Sequence, residues 1–333
     1  MQSDWQTFLT GQGAIIEGGV IQHFGEINAE LTATRDSSVL CDLGQFSTLR
    51  VSGPDAESFL QNLLSNDIRE INGTHAQYSS FNTAKGRMLA SFLIWRDADD
   101  YLLQLPGTLA DALRKKLSMY VLRAKVKITD AGNDVISLGL SGAQDILPDT
   151  GLLGVTEALG ATAIRLGNTR FLLNTTPELA PALWQTLANN AKPVGSPCWD
   201  WLNVRAGIPV IQPETQEQFV PQMANFDLIG GINFKKGCYP GQEIVARMHY
   251  LGKLKRRMYL AHIDSETHAG DEVYSANMDG QPCGMIANAA AAPAGGYDAL
   301  VVMQIESHDT QAVHLGSIQG AALTFESLPY PLP

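Results

Sequence analysis

One stretch organises the interpretation of this chain: Lys235-Lys236-Gly237-Cys238-Tyr239-Pro240-Gly241-Gln242-Glu243-Ile244-Val245-Ala246-Arg247. Proline suits the first position of a helix, so Pro240 predicts that a helix begins there. Glu243 would lie near the positive end of that helix, with Arg247 about one turn later on the same face. Cys238 would then lie at the helix N-terminus beside the ammonium of Lys236, an environment that favours the thiolate of a reactive cysteine. Free cysteines are also among the most buried residues, so spacing alone leaves a small core side chain equally open.

The segment from Phe234 to Glu243 resembles the signature of the YgfZ family, folate-binding proteins related to the T-protein of the glycine cleavage system. Weaker matches run from about Leu40 to Lys255. The resemblance implies an α+β fold, in which T-protein-like folate-binding lobes are followed by a small C-terminal β-barrel. It implies that Cys238 is the reactive residue and that Lys236 tunes its ionisation. The motif residues expected to support this pair are Tyr239, Gly241, Gln242, Glu243 and Arg247.

The same resemblance implies a role for the protein. We expect it to bind tetrahydrofolate, or another folate, and to support the synthesis or repair of iron–sulfur enzymes, including one that methylthiolates tRNA. Two alternatives stay open: a folate-dependent aminomethyl or one-carbon transferase, and a non-enzymatic adaptor that docks a client protein or tRNA. Whether the protein is itself an enzyme does not follow from these residues.

The predicted folate contacts are Trp199, Phe46, Asn82, Lys85 and Asn225. Trp199 lies eight residues before Gly207, where family members carry a folate-contacting tryptophan. Phe46 matches a second family position that is often tryptophan in relatives, and a core residue at a strand start is an equally good interpretation. Asn82 and Lys85 flank a predicted hairpin turn, for which turn chemistry is the favoured explanation and ligand contact a secondary role.

Two positions depart from the T-protein pattern. T-proteins use an aspartate just after the equivalent of Gly86, and residues 86–93 contain no acid here. T-proteins also hold the pterin with a glutamate where this chain has Arg205. Because a guanidinium only donates hydrogen bonds, it cannot replace a carboxylate that accepts them. We therefore expect aminomethyl transfer by the T-protein mechanism to be absent.

Composition and charge narrow the class of protein. The net charge is −11, which argues against a general nucleic-acid binder. Residues 235–257 nevertheless hold seven basic residues and one acid, and residues 114–127 hold six basic residues and no acid. Each run could be a solvated face or could attract a polyanion, such as a folate polyglutamate tail or a nucleic acid. We expect weak tRNA contact through the basic residues of 247–257.

The four scattered cysteines form no C-x-x-C pair, so we expect no metal site. No long apolar run or signal peptide is evident, so we expect no membrane segment. Together with the scattered cysteines, this indicates a protein of the reducing cytoplasm, and we expect a monomer.

Hydrophobic periodicity predicts the main elements. A strand over 46–51 precedes a helix with Pro54 at its first position. A hairpin over 78–81 and 88–95 and a third strand over 101–105 follow. The next helix is predicted to start with a Thr108–Asp111 capping box, and its apolar stripe to include Tyr120 and Val121. Five short C-terminal strands suggest the barrel. The predicted domains are 1–240, with interleaved lobes of about 1–125 and 126–240, and 241–333.

Overall fold

The structure is a computed structural model that describes residues 2–252 and 254–333. Its α-helices are α1 (Gln2–Gly11), α2 (Ile27–Asp36), α3 (Ala56–Gln61), α4 (Gly107–Ser118), α5 (Ala180–Ala188), α6 (Ser196–Arg205), α7 (Gln242–Tyr250) and α8 (Ile305–Thr310). Among the described residues, no helix is both long enough and apolar enough to cross a membrane.

The strands fall along the whole chain. They are β1 (Ile15–Glu17), β2 (Val20–His23), β3 (Val39–Asp42), β4 (Phe46–Ser52), β5 (Gln77–Asn82), β6 (Met88–Asp97), β7 (Asp100–Pro106), β8 (Lys127–Asp130), β9 (Ile136–Ser141), β10 (Val155–Ala158), β11 (Ala161–Arg165), β12 (Arg170–Thr175), β13 (Lys192–Val194), β14 (Arg256–Ile263), β15 (Glu272–Ser275), β16 (Pro282–Ala291), β17 (Tyr297–Gln304), β18 (Val313–Leu315) and β19 (Leu323–Glu326).

The chain divides into two compact units, and each is discontinuous in sequence. The first comprises Met1–Glu57, Arg69–Gln77 and Leu93–Trp199, and the second comprises Ser58–Ile68, Tyr78–Phe92 and Asp200–Pro333. The domain boundaries expected near residues 125 and 240 stay a prediction.

The first unit contains a six-stranded sheet with the order β10-β11-β12-β9-β3-β13. Helices α1 and α5 contribute Leu9 and Trp184 to the core on this sheet, which also includes Leu140. In the same unit β4 pairs antiparallel with both β7 and β8. The α+β fold expected from the sequence is confirmed.

Helix α4 packs on β4 and differs from its prediction at both ends. It begins at Gly107, and its N-cap residue Pro106 makes no side-chain cap, so the predicted Thr108–Asp111 capping box is wrong. Asp111 instead accepts a hydrogen bond from Arg114. The helix ends at Ser118, and Tyr120, expected on its buried stripe, is 44% exposed.

Helix α3 also starts later than predicted. It begins at Ala56, so Pro54 precedes the helix. The turn before it depends on Gly53, whose φ is +111° and whose added Cβ would lie 2.2 Å from the carbonyl oxygen of Lys125. Only glycine fits this approach, because any side chain would overlap the neighbouring backbone.

The second unit contains the C-terminal strands, ordered β18-β15-β16-β17-β14-β19. An isolated bridge between His314 and Ala322 joins the two edges of this sheet, which therefore curls towards a closed barrel. Its interior is filled by apolar side chains such as Ile263, Val301 and Met303. The small C-terminal barrel predicted from short, regularly spaced strands is confirmed. The same unit holds the hairpin of β5 and the first half of β6, also as predicted.

Candidate functional site

The cysteine motif lies at the start of α7 in the second unit. Helix α7 begins at Gln242, and its N-cap residue Gly241 has a left-handed backbone with φ of +81°. Pro240 therefore lies outside the helix, and its predicted position as the first helical residue is wrong, because the chain enters the helix through the positive φ of Gly241. Glu243 lies in the first turn of α7 and Arg247 in the last turn, as predicted. The acid near the N-terminus and the base near the C-terminus both interact favourably with the helix dipole.

Gly241 packs directly on the hairpin turn between β5 and β6. A Cβ added to Gly241 would lie 2.5 Å from both the Cα of Gly86 and the carbonyl oxygen of Thr83. Gly86 also has a positive φ of +70°, and a Cβ there would lie 3.1 Å from the Cβ of Ile244. The two glycines allow the turn and the start of α7 to approach at backbone distance. The turn that carries Asn82 and Lys85 is thus fixed against the cysteine motif.

Lys236 is a buried cation, with 4% of its surface exposed. Its Nζ donates hydrogen bonds to the carbonyl oxygens of Gln61 at 2.7 Å and Asn66 at 3.0 Å, and to that of Leu64. These carbonyls follow the C-terminal end of α3, where backbone acceptors lack helical partners and attract positive charge. The ammonium also lies 5.0 Å from the ring centroid of Tyr239. Lys236 therefore anchors the motif to the end of α3, a role that its position two residues before Cys238 did not reveal.

Two polar residues that the sequence interpretation missed complete this anchor. Ser65 Oγ accepts a hydrogen bond from the backbone N–H of Ser80 at 2.8 Å and donates one to the carbonyl of Gly231 at 2.8 Å. Asn66 Nδ2 donates to the carbonyl of Gly230 at 2.7 Å. Together they tie the end of α3 to β5 and to the loop that leads into the motif. Their partners are distant in sequence, so no local pattern could have identified them.

Cys238 is exposed, whereas the three other cysteines, Cys41, Cys198 and Cys283, are buried. The interpretation of Cys238 as a small core residue is therefore wrong, and its thiol can meet a partner from solution. Neighbouring Tyr239 is buried, and this burial raises its pKa above the usual value. The motif thus presents an accessible sulfur on a segment whose flanking side chains are fixed in the interior.

Of the predicted folate contacts, Trp199 and Phe46 belong to the first unit. Trp199 is 2% exposed, and its ring lies against β9, where a Cβ added to Gly139 would be 2.5 Å from it. The guanidinium carbon of Arg170 lies 5.1 Å from the centroid of the same ring. Phe46 is half-buried and lines a cavity of about 210 Å³. Folate contact by either residue stays a prediction.

Asn82, Lys85 and Asn225 belong to the second unit. Asn82 is buried, and its Nδ2 has no hydrogen-bond partner among the described residues, while its Oδ1 accepts a bond from Ser80 at 3.1 Å. Lys85 is exposed on the adjoining turn. Asn225 is buried, and its Nδ2 donates to the carbonyl of Met258 at 2.8 Å. Asn82 thus offers a donor for a ligand, whereas the amide of Asn225 is engaged with the barrel.

Arg205, expected from the resemblance to replace a pterin-binding glutamate of T-proteins, is part of an ionic network that is partly exposed to solvent. Its guanidinium bonds to Glu326 at 2.6 Å and to Asp298 at 3.4 Å. Asp298 also accepts hydrogen bonds from Trp201 Nε1 at 2.8 Å and from His262 Nδ1 at 2.8 Å. The hydrogen bond to Asp298 raises the pKa of His262. Arg205 therefore has acidic partners within the second unit and supplies no acceptor for a pterin.

The basic residues of 247–257, the predicted tRNA contacts, have different surroundings. Arg257 is buried and forms a bidentate pair with Asp227 at 2.7 and 2.9 Å, so its guanidinium is unavailable to RNA. Arg247 and Lys255 are exposed and Arg256 is half-buried. Lys253 lies outside the described residues. Within those residues, no group of three or more His, Cys, Asp or Glu side chains is placed to hold a metal ion.

The sequence of this chain is similar to those of known proteins. Residues 16–149 match the family model of the GCVT N-terminal domain. A tRNA-modifying protein YgfZ from Cronobacter sakazakii is 30% identical over 309 residues, which cover 88% of this chain and 93% of that protein. The protein of the same name from Klebsiella pneumoniae is 32% identical over 230 residues, covering 66% of this chain and 70% of that protein.

One solved structure extends the likeness to nearly the whole chain. The glycine cleavage system aminomethyltransferase T from Bartonella henselae superimposes with a TM-score of 0.80 over 98% of this chain and 96% of that one. The two sequences are 19% identical, so this similarity concerns the fold.

Proposed function

This chain belongs to the YgfZ family of tRNA-modifying proteins, and we propose that it supports tRNA modification through the exposed thiol of Cys238. The observation that carries the proposal is the contrast between this sulfur and its surroundings. Cys238 is accessible, while Lys236 two residues before it and Tyr239 after it are buried. A thiol held at a fixed place on the surface can attack a substrate, carry a group or ligate a metal ion transiently.

The clients that we propose are iron–sulfur enzymes, including one that methylthiolates tRNA, in the cytoplasm. The thiol would act during the synthesis or repair of such an enzyme. This assignment extends the resemblance of residues 234–243 to the YgfZ signature, and its tRNA part agrees with the relatives, which are tRNA-modifying proteins.

We further propose that the second unit contributes to a folate site. The buried Nδ2 of Asn82 is a donor without a partner among the described residues, and a buried donor of this kind favours a ligand that accepts its hydrogen bond. Lys85, exposed on the same turn, suits the carboxylates of a folate glutamate tail. Bound tetrahydrofolate would supply a carrier for one-carbon units. Replacing Asn82 by Ala should weaken tetrahydrofolate binding in calorimetry, and unchanged affinity would remove Asn82 from the site.

A specific observation favours the adaptor as a second candidate function. Helix α7 exposes Ile244, Tyr250 and Leu251 close to the cysteine motif in sequence. Ile244 and Leu251 are seven residues apart and so lie on one face of the helix and its C-cap. An apolar face of this kind suits a client protein that docks next to Cys238. The one-carbon transferase has no such support, because Arg205 and the acid-free residues 86–93 depart from the T-protein pattern.

The proposal is tested in cells that lack their own copy of the protein. A Cys238→Ser variant should fail to restore methylthiolated tRNA nucleosides, because the hydroxyl is a far weaker nucleophile and metal ligand than a thiolate. The variant should unfold at the same urea concentration as the wild type, since the side chain is exposed. Lys235→Ala changes the exposed lysine immediately before the buried Lys236, so it serves as the matched surface control and should restore modification. Full restoration by Cys238→Ser would remove the thiol from the function.

A further inference from the structure

The proposed function does not use the second basic run of the sequence, residues 114–127, which we call the basic segment. It holds six basic residues and no acid in a protein whose net charge is −11. In the first unit it extends from the last turns of α4 through a connecting turn to the start of β8. One of the six, Arg114, is paired with Asp111 at 2.9 Å. The remaining cations are Lys115, Lys116, Arg123, Lys125 and Lys127, and all five are exposed.

Three of these cations form a row. Arg123, Lys125 and Lys127 are exposed, whereas the intervening Ala124 and Val126 are half-buried. Arg123 lies in the turn that precedes β8 and Lys127 is the first residue of that strand, so the row runs from the turn to the start of the strand. Strand β8 pairs with β4 and is the outermost strand of its sheet, so the row ends at a sheet edge.

The backbone of the row is held in place by the turn that precedes α3. The N–H of Lys125 donates to Asp55 Oδ2 at 2.7 Å, and Lys127 pairs with Ser52 in the sheet. Gly53 admits the carbonyl of Lys125 where any Cβ would lie 2.2 Å from its oxygen. The positions of Lys125 and Lys127 are therefore set by the fold, because the main chain that carries them is bonded to Asp55 and paired with Ser52.

A cluster of exposed apolar side chains adjoins the row. Met119 is 76% exposed, Tyr120 is 44% exposed and Leu122 is 89% exposed. Met119 and Tyr120 follow the end of α4, and Leu122 lies on the next turn, in which the N–H of Ala124 donates to the carbonyl of Val121 at 2.7 Å. Leu122 adopts a left-handed backbone with φ of +43°, which costs a residue with a side chain roughly 1 kcal/mol. An ordered turn thus presents an aromatic ring and two aliphatic groups to solvent beside five cations.

We propose that the basic segment is an RNA-binding surface. Arg123, Lys125 and Lys127 would pair with phosphates along one strand, and Tyr120 would stack on a base, the combination by which proteins bind single-stranded nucleic acid. Lys115 and Lys116 would add attraction at longer range. The choice of RNA over another polyanion rests on the proposed function. This surface is separate in sequence from residues 247–257 and would act in addition to them.

The test is the salt dependence of binding of an unmodified tRNA transcript, measured by fluorescence anisotropy. Each lost phosphate contact lowers the slope of log K against log salt by about 0.7 to 0.9. Changing Arg123, Lys125 and Lys127 together to Gln should therefore reduce the slope by roughly 2 to 3. The same relation predicts an affinity loss of roughly 100-fold or more at ~0.1 M salt. Tyr120→Ala should weaken binding by roughly tenfold and leave the slope unchanged.

The matched control is Lys192→Gln, which neutralises an exposed lysine of the same unit outside the basic segment and should change affinity less than twofold. Wild-type affinity or an unchanged slope in the triple variant would overturn the proposal. Binding of phosphatidylglycerol vesicles without binding of the transcript would also overturn it, in favour of a membrane surface. Cys238→Ser should bind the transcript as the wild type does, so this test and the cysteine test can fail independently.

Discussion

The burial of Lys236 leads to a prediction that separates two roles for this residue. Because Lys236 lies two residues before Cys238, its ammonium is expected to tune the ionisation of the thiol. In the structure, its Nζ instead donates hydrogen bonds to the carbonyls of Gln61, Leu64 and Asn66. Replacing Lys236 by Met keeps the length and the apolar stem of the side chain but removes the charge and all three donated bonds. We expect the free energy of unfolding to fall.

The size of the loss follows from opposing contributions. A hydrogen bond from a charged donor contributes about 1.5–3 kcal/mol, so three bonds amount to roughly 5–9 kcal/mol. Methionine also avoids the desolvation of a buried ammonium, which costs several kcal/mol. The difference is a destabilisation of roughly 2–4 kcal/mol, with the lost contact to the Tyr239 ring included in the upper part of this range.

Urea unfolding of Lys236→Met measures this loss, and Lys235→Met is the matched control. Lys235 is exposed, so its variant should stay within about 0.5 kcal/mol of the wild type. Equal unfolding midpoints for the two variants would refute the anchoring role of Lys236. A normal midpoint together with slower alkylation of Cys238 would instead assign Lys236 to the ionisation of the thiol.

Three further predictions concern single residues. Burial raises the pKa of Asp42 to about 6. The free energy of unfolding should therefore fall by about 3 kcal/mol as the pH rises from ~4 to 6 and the buried carboxyl group ionises. Asp42→Asn should remove this fall in urea-measured stability, and an unchanged pH profile would contradict it. Gly241→Ala should lower stability by roughly 2–4 kcal/mol in thermal unfolding, because its Cβ would lie 2.5 Å from Thr83 O; a wild-type transition would refute the close approach. The bond to Asp298 raises the pKa of His262, so His262→Asn should be less stable than the wild type below pH ~6.5. That deficit should shrink as the pH rises through the raised pKa, and a constant difference would argue against the pair.

Much of the fold was predictable where periodicity extends over a full element. Strand β4 and the C-terminal strands were placed by alternation and by turn residues between them. No element was predicted within the first 42 residues. Strands β1 and β2 have three and four residues and are too short for alternation to show, and the ten-residue helices α1 and α2 were missed. The stripe of α4 was extended to Tyr120 because three-residue spacing fits a helix. The chain instead leaves the helix at Ser118, which spacing alone cannot indicate.

The candidate site was predictable only in part. The motif itself marked Cys238, and the turn at 82–86 was identified from its Asn and Gly residues. The partners of Lys236 lie 170 to 175 positions away in sequence, so its role as an anchor had no local signature. Gly86 likewise looked like an ordinary turn glycine, and its approach to Gly241 depends on two segments that meet only in the folded chain. Long-range polar contacts of this kind are decided by which backbone acceptors the fold leaves unpaired.

The most direct measurement compares activity with the chemical state of one sulfur. The wild-type protein would be treated with increasing iodoacetamide, the occupancy of each cysteine read by mass spectrometry, and each sample added to an extract that lacks the protein. We predict that Cys238 is alkylated while buried Cys41, Cys198 and Cys283 stay protected. Support of tRNA methylthiolation should then fall in proportion to the alkylated fraction of Cys238. Full activity in protein whose Cys238 is completely alkylated would contradict the account.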